Sequence, residues 1–407
     1  MNIGLYISPS HAVPPDEKNI LAPWILVRQL TDGLVDRGHD VTLFAARGSK
    51  TKARLVHGGI EATMVRQSEY SDPDLYRAYV VAQELALFRE VVMYAKAGKL
   101  DLVHIHQPVE RLYPALLAMP VKVPVVITFH DPIVPERFPG LEKLMGLGNI
   151  HFVSLSKSQQ KGVPYPFAGV VPNGLDIKLF RPDGDHNGFF LMTGRIVPEK
   201  GFTDAIAAVQ KAGERLMIVG QKYDQLPKAK RYFEEEIAPA IDGKTVIWES
   251  VVKPEHLVGH YQTAKALLFP IHWEEPFGLV MIEAMACGTP VIAYNRGSVP
   301  EIIVDGKTGF IIEPGAFGRD AVVLASSRSR SDDSPSGLFH QGRDEASKQH
   351  HSPRRIKQSG VAGLVEAIKR VGEIDRKACR RHIEKYFTIE KMVYGYEKIY
   401  AGLIRHQ

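Results

Sequence analysis

Two glutamates, Glu275 and Glu283, stand eight residues apart in a largely apolar stretch of the chain. Eight residues of continuous helix rise about 12 Å, which is too far for the two carboxylates to share one proton or one metal ion. Their spacing suits the binding of two parts of one elongated, hydroxyl-rich ligand. Between them, Phe277, Gly278 and Leu279 open a predicted helix, whose free N–H groups and positive dipole end favour an anion such as phosphate. The alternative is a surface loop followed by a core helix with one incidental glutamate.

Two cations form a second candidate group. Arg195 and Lys200 stand five residues apart on a loop bounded by Gly194 and Gly201, directly before a predicted helix. This arrangement suits a diphosphate, because an arginine binds it through a planar fork and a lysine binds it as a point charge. The alternative is a solvated loop with two ordinary surface cations.

The elements around these residues predict a parallel sheet. Residues 266–270 form a predicted buried strand, the helix from Phe277 ends near Cys287, and residues 291–293 form the next strand. Gly288 takes the usual position of a glycine after a helix end. A strand–loop–helix–strand order of this kind is typical of α/β proteins.

The first half of the chain shows the same alternation. Residues 2–7 and 41–45 are predicted strands, and a helix between them runs from Trp24 to Arg37. The loop 8–23 follows the first strand, so it is placed to line a cleft. A long helix is predicted over 72–98. Its predicted core stripe is Tyr79, Ala82, Leu85, Ala86, Phe88, Val91 and Val92.

Two further strands end in polar residues. The strand at 101–107 reaches His106, and the strand at 123–131 ends with His130 and Asp131. Active-site groups of open α/β sheets collect at the carboxyl ends of the strands. His130 is therefore predicted to be functional, with His106 as a weaker candidate at the same rim. A structural histidine, and for Asp131 the capping of a turn, are the alternatives.

Composition excludes several classes of protein. The 407 residues are 44% apolar and 24% charged, with a net charge of +5, as in an ordinary two-domain soluble protein. This charge is too diffuse to indicate nucleic-acid binding. Cys287 and Cys379 are the only cysteines, so the chain has no disulfide framework and no zinc-site spacing. No apolar run reaches the length of a membrane span, and the start lacks the features of a signal peptide. We therefore expect a cytoplasmic protein.

Three of these motifs, in this order, resemble one enzyme family. They are the Thr128-Phe129-His130 strand end, the loop Gly194-Arg195 to Glu199-Lys200-Gly201, and the full string from Trp273 to Ala293. Together they resemble the retaining glycosyltransferases of family 4. The resemblance covers nearly the whole chain except residues 316–360 and part of the first loop.

The resemblance implies a role for each residue. It implies that Glu283 hydrogen-bonds the ribose of a sugar nucleotide, and that Glu275 and His130 lie by the donor sugar. The implied catalytic set is His130, Glu275, Arg195 and Lys200. The implied donor-binding set is Gly194, Arg195, Lys200, Glu275, Phe277, Gly278, Leu279 and Glu283. On the acceptor side we place Asp131 and His106.

The fold that the resemblance implies is GT-B, an α/β architecture. Two doubly wound Rossmann-like domains face a cleft, and the C-terminal helix crosses back to the first domain. The expected boundaries are an acceptor-side domain over 1–180 and a nucleotide-sugar-binding domain over 186–375, followed by C-terminal helices over 376–407. The polar, Pro/Gly-rich segment 181–185 is the predicted linker.

Two departures from the family stand out. Relatives carry a Gly-Gly pair in the first loop, where this chain has Leu21, Ala22 and Pro23. Residues 316–360 are rich in serine and poor in apolar periodicity, which predicts a disordered insertion. An interaction segment or an out-of-frame artefact of the sequence are alternatives for this region. Relatives pass almost directly from a turn like Pro314-Gly315 to a helix like 361–368.

The expected activity is transfer of a hexose from a nucleotide sugar, a UDP- or GDP-sugar, to an acceptor hydroxyl with retained configuration. The implied reaction needs no metal and no cofactor, with the nucleotide sugar as co-substrate. The alternatives are a non-catalytic nucleotide-sugar binder, or an epimerase or phosphorylase on the same fold. The acceptor (sugar, lipid or small metabolite) and the oligomeric state are not readable. Nucleic acid is not an expected partner, whereas peripheral membrane contact is compatible with the sequence.

Overall fold

The computed structural model describes residues 1–15, 21–106, 109–117, 123–133, 141–184, 186, 188–224, 226–250, 252–315 and 355–405. The first half forms a seven-stranded parallel sheet with the strand order β3-β2-β1-β4-β5-β6-β7. Its strands are β1 (Asn2–Tyr6), β2 (Asp40–Phe44), β3 (Arg54–Val56), β4 (Leu102–His106), β5 (Val125–Thr128), β6 (Ile150–Ser154) and β7 (Phe167–Val170).

The second half forms a six-stranded parallel sheet with the strand order β10-β9-β8-β11-β12-β13. Its strands are β8 (Phe190–Thr193), β9 (Leu216–Val219), β10 (Val246–Glu249), β11 (Ala266–Phe269), β12 (Val291–Tyr294) and β13 (Gly309–Ile312). Most strands are buried apolar runs, as expected for parallel sheets that are covered on both faces. The two Rossmann-like sheets confirm the predicted GT-B architecture. Residue 185 of the linker predicted at 181–185 lies outside the described residues, and the linker stays a prediction. The exact domain boundaries stay a prediction.

Helices connect and cover the strands. In the first half they are α1 (Ala22–Asp36), α2 (Pro73–Lys96), α3 (Val109–Leu117) and α4 (Leu141–Met145). In the second half they are α5 (Phe202–Ala212), α6 (Pro227–Tyr232), α7 (Pro254–Thr263), α8 (Leu279–Ala286), α9 (Val299–Ile302), α10 (Gly360–Arg370), α11 (Arg376–Tyr386) and α12 (Ile389–Arg405). Among the described helices, none combines the length and the apolar character needed to cross a membrane.

The buried face of α2 differs from the predicted stripe. Phe88 and Val91 are buried as expected, but Leu85 is 38% exposed and Glu84 is fully buried. Ser8 Oγ donates a hydrogen bond to Glu84 at 2.6 Å, and Arg111 forms an ion pair with the same carboxylate at 2.8 Å. These two partners compensate the desolvation of the charge, which an apolar count along the helix cannot anticipate.

The last helix packs back on the first domain, as predicted. Val393 of α12 packs against α1 at Gly33, which has no side chain to obstruct the approach. Glu397 forms an ion pair with Arg37 at 2.6 Å, and its other carboxylate oxygen lies 2.8 Å from His39 Nε2. This crossing helix therefore belongs to the core of the first domain.

Most of the predicted insertion, residues 316–354, lies outside the described residues. Its two ends are close together, because Gly360 N donates a hydrogen bond to Glu313 O at 2.8 Å. The helix predicted at 361–368 is present as α10. The described residues before and after the segment therefore belong to the same domain.

Candidate functional site

Each sheet has one place where its strand order reverses. In the first sheet the reversal lies between β1 and β4, and in the second it lies between β8 and β11. The loops after two such strands diverge and leave a crevice at their carboxyl ends, where ligands of open α/β sheets bind. Lys200 follows β8 and Glu275 follows β11, so the topology alone brings these two predicted site residues to one crevice.

Lys200 and Glu275 form an ion pair. Lys200 Nζ lies 2.8 Å from Glu275 Oε2, and the two side chains are 17% and 12% exposed. Trp273 Nε1 donates a hydrogen bond to the same oxygen at 3.1 Å, and the lysine ammonium lies 4.9 Å from the centre of the Trp273 ring. The sequence predicted both charged residues at the donor site, but it did not single out Trp273 or predict the ion pair.

Gly194 and Arg195 directly follow β8, on the loop that leads to Lys200. The exposed Arg195 guanidinium lies 5.4 Å from the centre of the Tyr223 ring. Gly194 has a φ of +138°, and a Cβ added there would meet no atom within 4 Å. The backbone is therefore open to a ligand at this point, and an exposed cation is the next residue in the chain.

Two helices begin at this crevice directly after a glycine. The glycine before α5, Gly201, and the glycine before α8, Gly278, both have left-handed φ values, +76° and +83°. Neither cap residue has a side chain to bind the first N–H groups, and at α5 the Tyr232 hydroxyl accepts a hydrogen bond from Thr203 N at 3.2 Å. The free N–H groups and the positive ends of both dipoles favour an anion there. The helix α8 begins at Leu279, two residues later than the sequence predicted, because Phe277 is in the loop and Gly278 is the cap.

The loop that carries Glu275 is held in place by the segment after β12. Ser298 N donates to Glu275 O at 3.0 Å, and Ser298 Oγ donates to Phe277 O at 2.6 Å. Gly297 N donates to the carboxylate of Glu274 at 2.6 Å. Beyond this loop, Leu279 packs against the core of the second domain and against the core of the first. The candidate site is thus built at the junction of the two domains.

Glu283 lies on α8, facing α7. The partly buried carboxylate accepts a hydrogen bond from Tyr261 Oη at 2.7 Å. Burial raises the pKa of Glu283 to about 7, and the Tyr261 hydrogen bond opposes that rise only in part. The carboxyl can therefore exist in either protonation state near neutral pH. Tyr261 is a residue that sequence analysis missed, since no spacing rule links it to Glu283.

The predicted histidines meet at the rim of the first sheet. His106 Nδ1 lies 2.9 Å from His130 Nε2, and the two rings are stacked with their centres 5.2 Å apart. Burial lowers the pKa of His130 to about 4 and holds that of His106 well below its usual value, so both rings are neutral at physiological pH. Asp131 is exposed at the same rim, and its backbone oxygen accepts a hydrogen bond from Gln159 Nε2 at 2.9 Å.

Two α/β domains, each with a parallel sheet that reverses its strand order once, define a class of protein: the GT-B fold. Comparison with known proteins agrees. The family model described as Glycosyl transferases group 1 matches residues 180–322, and the model described as Glycosyltransferase Family 4 matches residues 25–153. Together they match about two thirds of the chain. The protein belongs to the group 1 glycosyltransferases of family 4.

Individual relatives are distant. The chain is 25% identical over 353 residues to a D-inositol 3-phosphate glycosyltransferase from Acidothermus cellulolyticus, covering 72% of this chain and 77% of that one. Among curated relatives, the matched part spans from 38% to 80% of their own lengths. The structure of sucrose-phosphate synthase from Thermosynechococcus elongatus is similar with a TM-score of 0.68 and 19% identity, covering 100% of this chain and 99% of that one.

A second similar structure is that of the Anabaena protein HepE in complex with UDP and glucose. It has a TM-score of 0.62 and 15% identity, and the match covers 99% of this chain and 100% of HepE. At these identities the two structures show the fold that they share with this chain.

Proposed function

We propose that the protein transfers a hexose from a nucleotide-sugar donor, a UDP- or GDP-sugar, to an acceptor hydroxyl with retention of the anomeric configuration. The observation that carries this proposal is the Lys200–Glu275 pair at the β8/β11 crevice, beside two helix N-termini that follow glycines. A diphosphate fits positive groups of this kind, and a hydroxyl-rich sugar fits a carboxylate beside them. The complex of the similar HepE fold with UDP and glucose supports this donor class.

In this proposal the positive groups act on the leaving diphosphate. Lys200, Arg195 and the N–H groups at the starts of α5 and α8 would stabilise the charge that develops as the sugar–phosphate bond breaks. The diphosphate would compete with Glu275 for Lys200. The carboxylate of Glu275 would then be free to accept hydrogen bonds from hydroxyl groups of the donor sugar. No step is assigned to a metal ion or an organic cofactor.

The separate partners of the two carboxylates argue against a covalent sugar–enzyme intermediate. A double displacement of the glycosidase type needs two carboxyl groups about 5 Å apart, one as nucleophile and one as acid and base. Glu275 is bound to Lys200 and Trp273, whereas Glu283 is bound to Tyr261 on another helix. These separate partners suit separate roles, with Glu275 beside the sugar and Glu283 at the ribose.

The first domain would supply the acceptor side and His130. In this proposal the neutral His130 would donate or accept a hydrogen bond at the donor sugar. Asp131 is proposed to bind an acceptor hydroxyl directly. His106 is proposed to contribute through His130, because its ring is only 2% exposed. Closure of the two domains would exclude water and limit hydrolysis of the donor.

A thermal-shift screen against UDP-, GDP- and ADP-sugars tests the donor site. We expect one class of donor to raise the melting temperature, and we expect Arg195→Ala and Lys200→Ala to reduce the rise. The control is Lys211→Ala, at the exposed far end of α5. No shift with any donor, or equal shifts in all variants, would contradict the proposed donor site.

Turnover of the donor then separates a transferase from its alternatives. Slow hydrolysis without an acceptor, followed as free nucleotide, should fall about 100-fold in Lys200→Ala. Glu283→Ala should mainly raise the donor KM. Epimerised donor in the absence of acceptor, a requirement for inorganic phosphate, or tight binding without any turnover would each identify a different function.

A further inference from the structure

A buried chain of hydrogen bonds joins the crossing helix to the central strands of the first sheet. Tyr400 Oη lies 2.6 Å from His104 Nδ1, and His104 Nε2 lies 2.8 Å from Thr128 Oγ1. Thr128 Oγ1 in turn lies 3.1 Å from Tyr396 Oη. All four side chains are buried, and the two tyrosines are one turn apart on α12. Helix docking by apolar packing alone would not require these polar groups.

The direction of the hydrogen bonds follows from the chemistry of the groups. A phenol donates a hydrogen bond more readily than it accepts one, so the short contact is best described as Tyr400 donating to His104 Nδ1. The neutral His104 ring then carries its proton on Nε2 and donates to Thr128. The hydroxyl of the crossing helix thereby selects one tautomer of a buried histidine.

Beyond His104, the connection toward the candidate site is a contact between the rings of His104 and His106 and no longer a hydrogen bond. The rings of His104 and His106 have centres 4.0 Å apart, so each restricts the orientation of the other. His106 Nε2 is buried and has no hydrogen-bond partner among the described residues. A buried N–H without an acceptor costs more than an unused lone pair, so the proton of His106 belongs on Nδ1. From there it is donated to His130 Nε2 over 2.9 Å.

This arrangement fixes the proton of His130 as well. A neutral ring that accepts a hydrogen bond at Nε2 carries its proton on Nδ1. His130 is the first member of the series that is partly exposed, so its Nδ1–H is the group available to a ligand. The buried residues behind it then determine what His130 offers to that ligand.

We propose that the crossing helix positions His130: the buried tyrosine hydroxyls hold the histidine series that presents His130 with its proton on Nδ1. Tyr396, Tyr400 and His104 are positioning residues, because they act through His106 on the residue that faces the ligand. The catalytic consequence rests on the proposed function, whereas the tautomer of His130 is a property of the protein itself.

The test combines a spectroscopic readout with kinetics. Proteins labelled with ¹⁵N-histidine are compared as wild type, Tyr400→Phe and Tyr396→Phe, with the His130 signals identified through their loss in His130→Gln. Tyr394→Phe is the control, because this tyrosine lies on the same helix with an exposed ring. We expect His130 to carry its proton on Nδ1 in the wild type and in the control. In Tyr400→Phe we expect His130 to be a mixture of the Nδ1–H and Nε2–H tautomers.

The kinetic expectation is a fall in kcat of about five- to tenfold in Tyr400→Phe, with little change in the donor KM. If Tyr400→Phe folds poorly, Tyr396→Phe removes the hydroxyl at the other end of the same chain and is measured in its place. An Nε2–H tautomer in the wild type would overturn the proposal. A lower melting temperature with unchanged tautomer and unchanged kcat would also overturn it, since the tyrosines would then serve stability alone.

The proposed function can fail without deciding this inference. If the wild type shows no turnover, the tautomer of His130 in the wild type and the variants still tests the positioning. If turnover is present and the tautomer is insensitive to both tyrosines, the positioning is wrong while the transferase function stands.

Discussion

Glu283 shows, for a single residue, how a buried carboxyl group at a candidate binding site costs stability. Its ordinary pKa is 4.5, and burial raises the pKa to about 7 in the folded protein. A carboxyl group with a raised pKa resists ionisation in the folded state only. The free energy of unfolding therefore falls as pH rises from about 4.5 to about 7, and the loss is complete above that range.

Glu283→Gln should remove this pH dependence. The amide oxygen of glutamine can accept the same hydrogen bond from Tyr261, while the group that resists ionisation is gone. We expect the free energy of unfolding of the variant, relative to that of the wild type, to rise by about 2 kcal/mol from pH 5 to pH 8. Chemical denaturation at both pH values measures the gain, with the exposed Glu390→Gln as control. A difference that does not change with pH would mean that Glu283 titrates normally.

At the scale of the element, the loop before α8 depends on a glycine in another segment. Gly297 has a φ of +52°, and a Cβ added there would overlap the backbone of Glu275. The neighbouring Ser298 holds the same loop through two hydrogen bonds. The position of Glu275 is therefore set from outside its own loop.

Gly297→Ala should displace this loop and weaken binding of the donor. We expect the affinity for the donor class found in the screen to fall at least about tenfold, because small displacements of positioning groups are costly. Gly48→Ala is the matched control, since Gly48 also has a positive φ of +85° but has nothing within 4 Å of the added atom. Calorimetric titration of both variants checks this. Equal affinities would show that the loop tolerates the overlap.

At the scale of the whole molecule, the crossing helix is held where two helices touch. A Cβ added to Gly33 of α1 would overlap Val393 Cγ2 of α12 at 2.6 Å, so the close approach depends on the missing side chain. The chain after the second domain thus returns to complete the core of the first.

Gly33→Ala should destabilise the protein by about 1–3 kcal/mol through overpacking. Val393→Ala in the same chain makes room for the new methyl group, so the double variant should lose less than the sum of the two single variants. Gly402→Ala, which meets nothing within 4 Å, is the control and should be neutral or slightly stabilising. Strictly additive losses in chemical denaturation would mean that the two helices do not press on each other here.

The local sequence was sufficient for much of this protein. Periodicity and backbone preference, which act over a few residues, predicted most of the strands, several helices and Gly288 after α8. The types, spacing and order of the Arg195–Lys200 loop and the Glu275–Glu283 string, characteristic of a family, predicted that the two belong to one site. The ion pair of Lys200 with Glu275 does bring them together, while their role at a donor stays a prediction. The continuous apolar runs of the parallel strands likewise predict that these strands are buried.

Other features depend on contacts between distant segments. Lys200 pairs with Glu275 over 75 positions in the chain, and Tyr400 bonds His104 over 296. Glu84 lies in the interior although the residues around it indicated another face of α2. Such contacts depend on the order of the strands and on which polar groups find partners once water is excluded. The spacing of residues along the chain indicates neither the order of the strands nor the partners of buried polar groups. These contacts can therefore be seen only once the chain has folded.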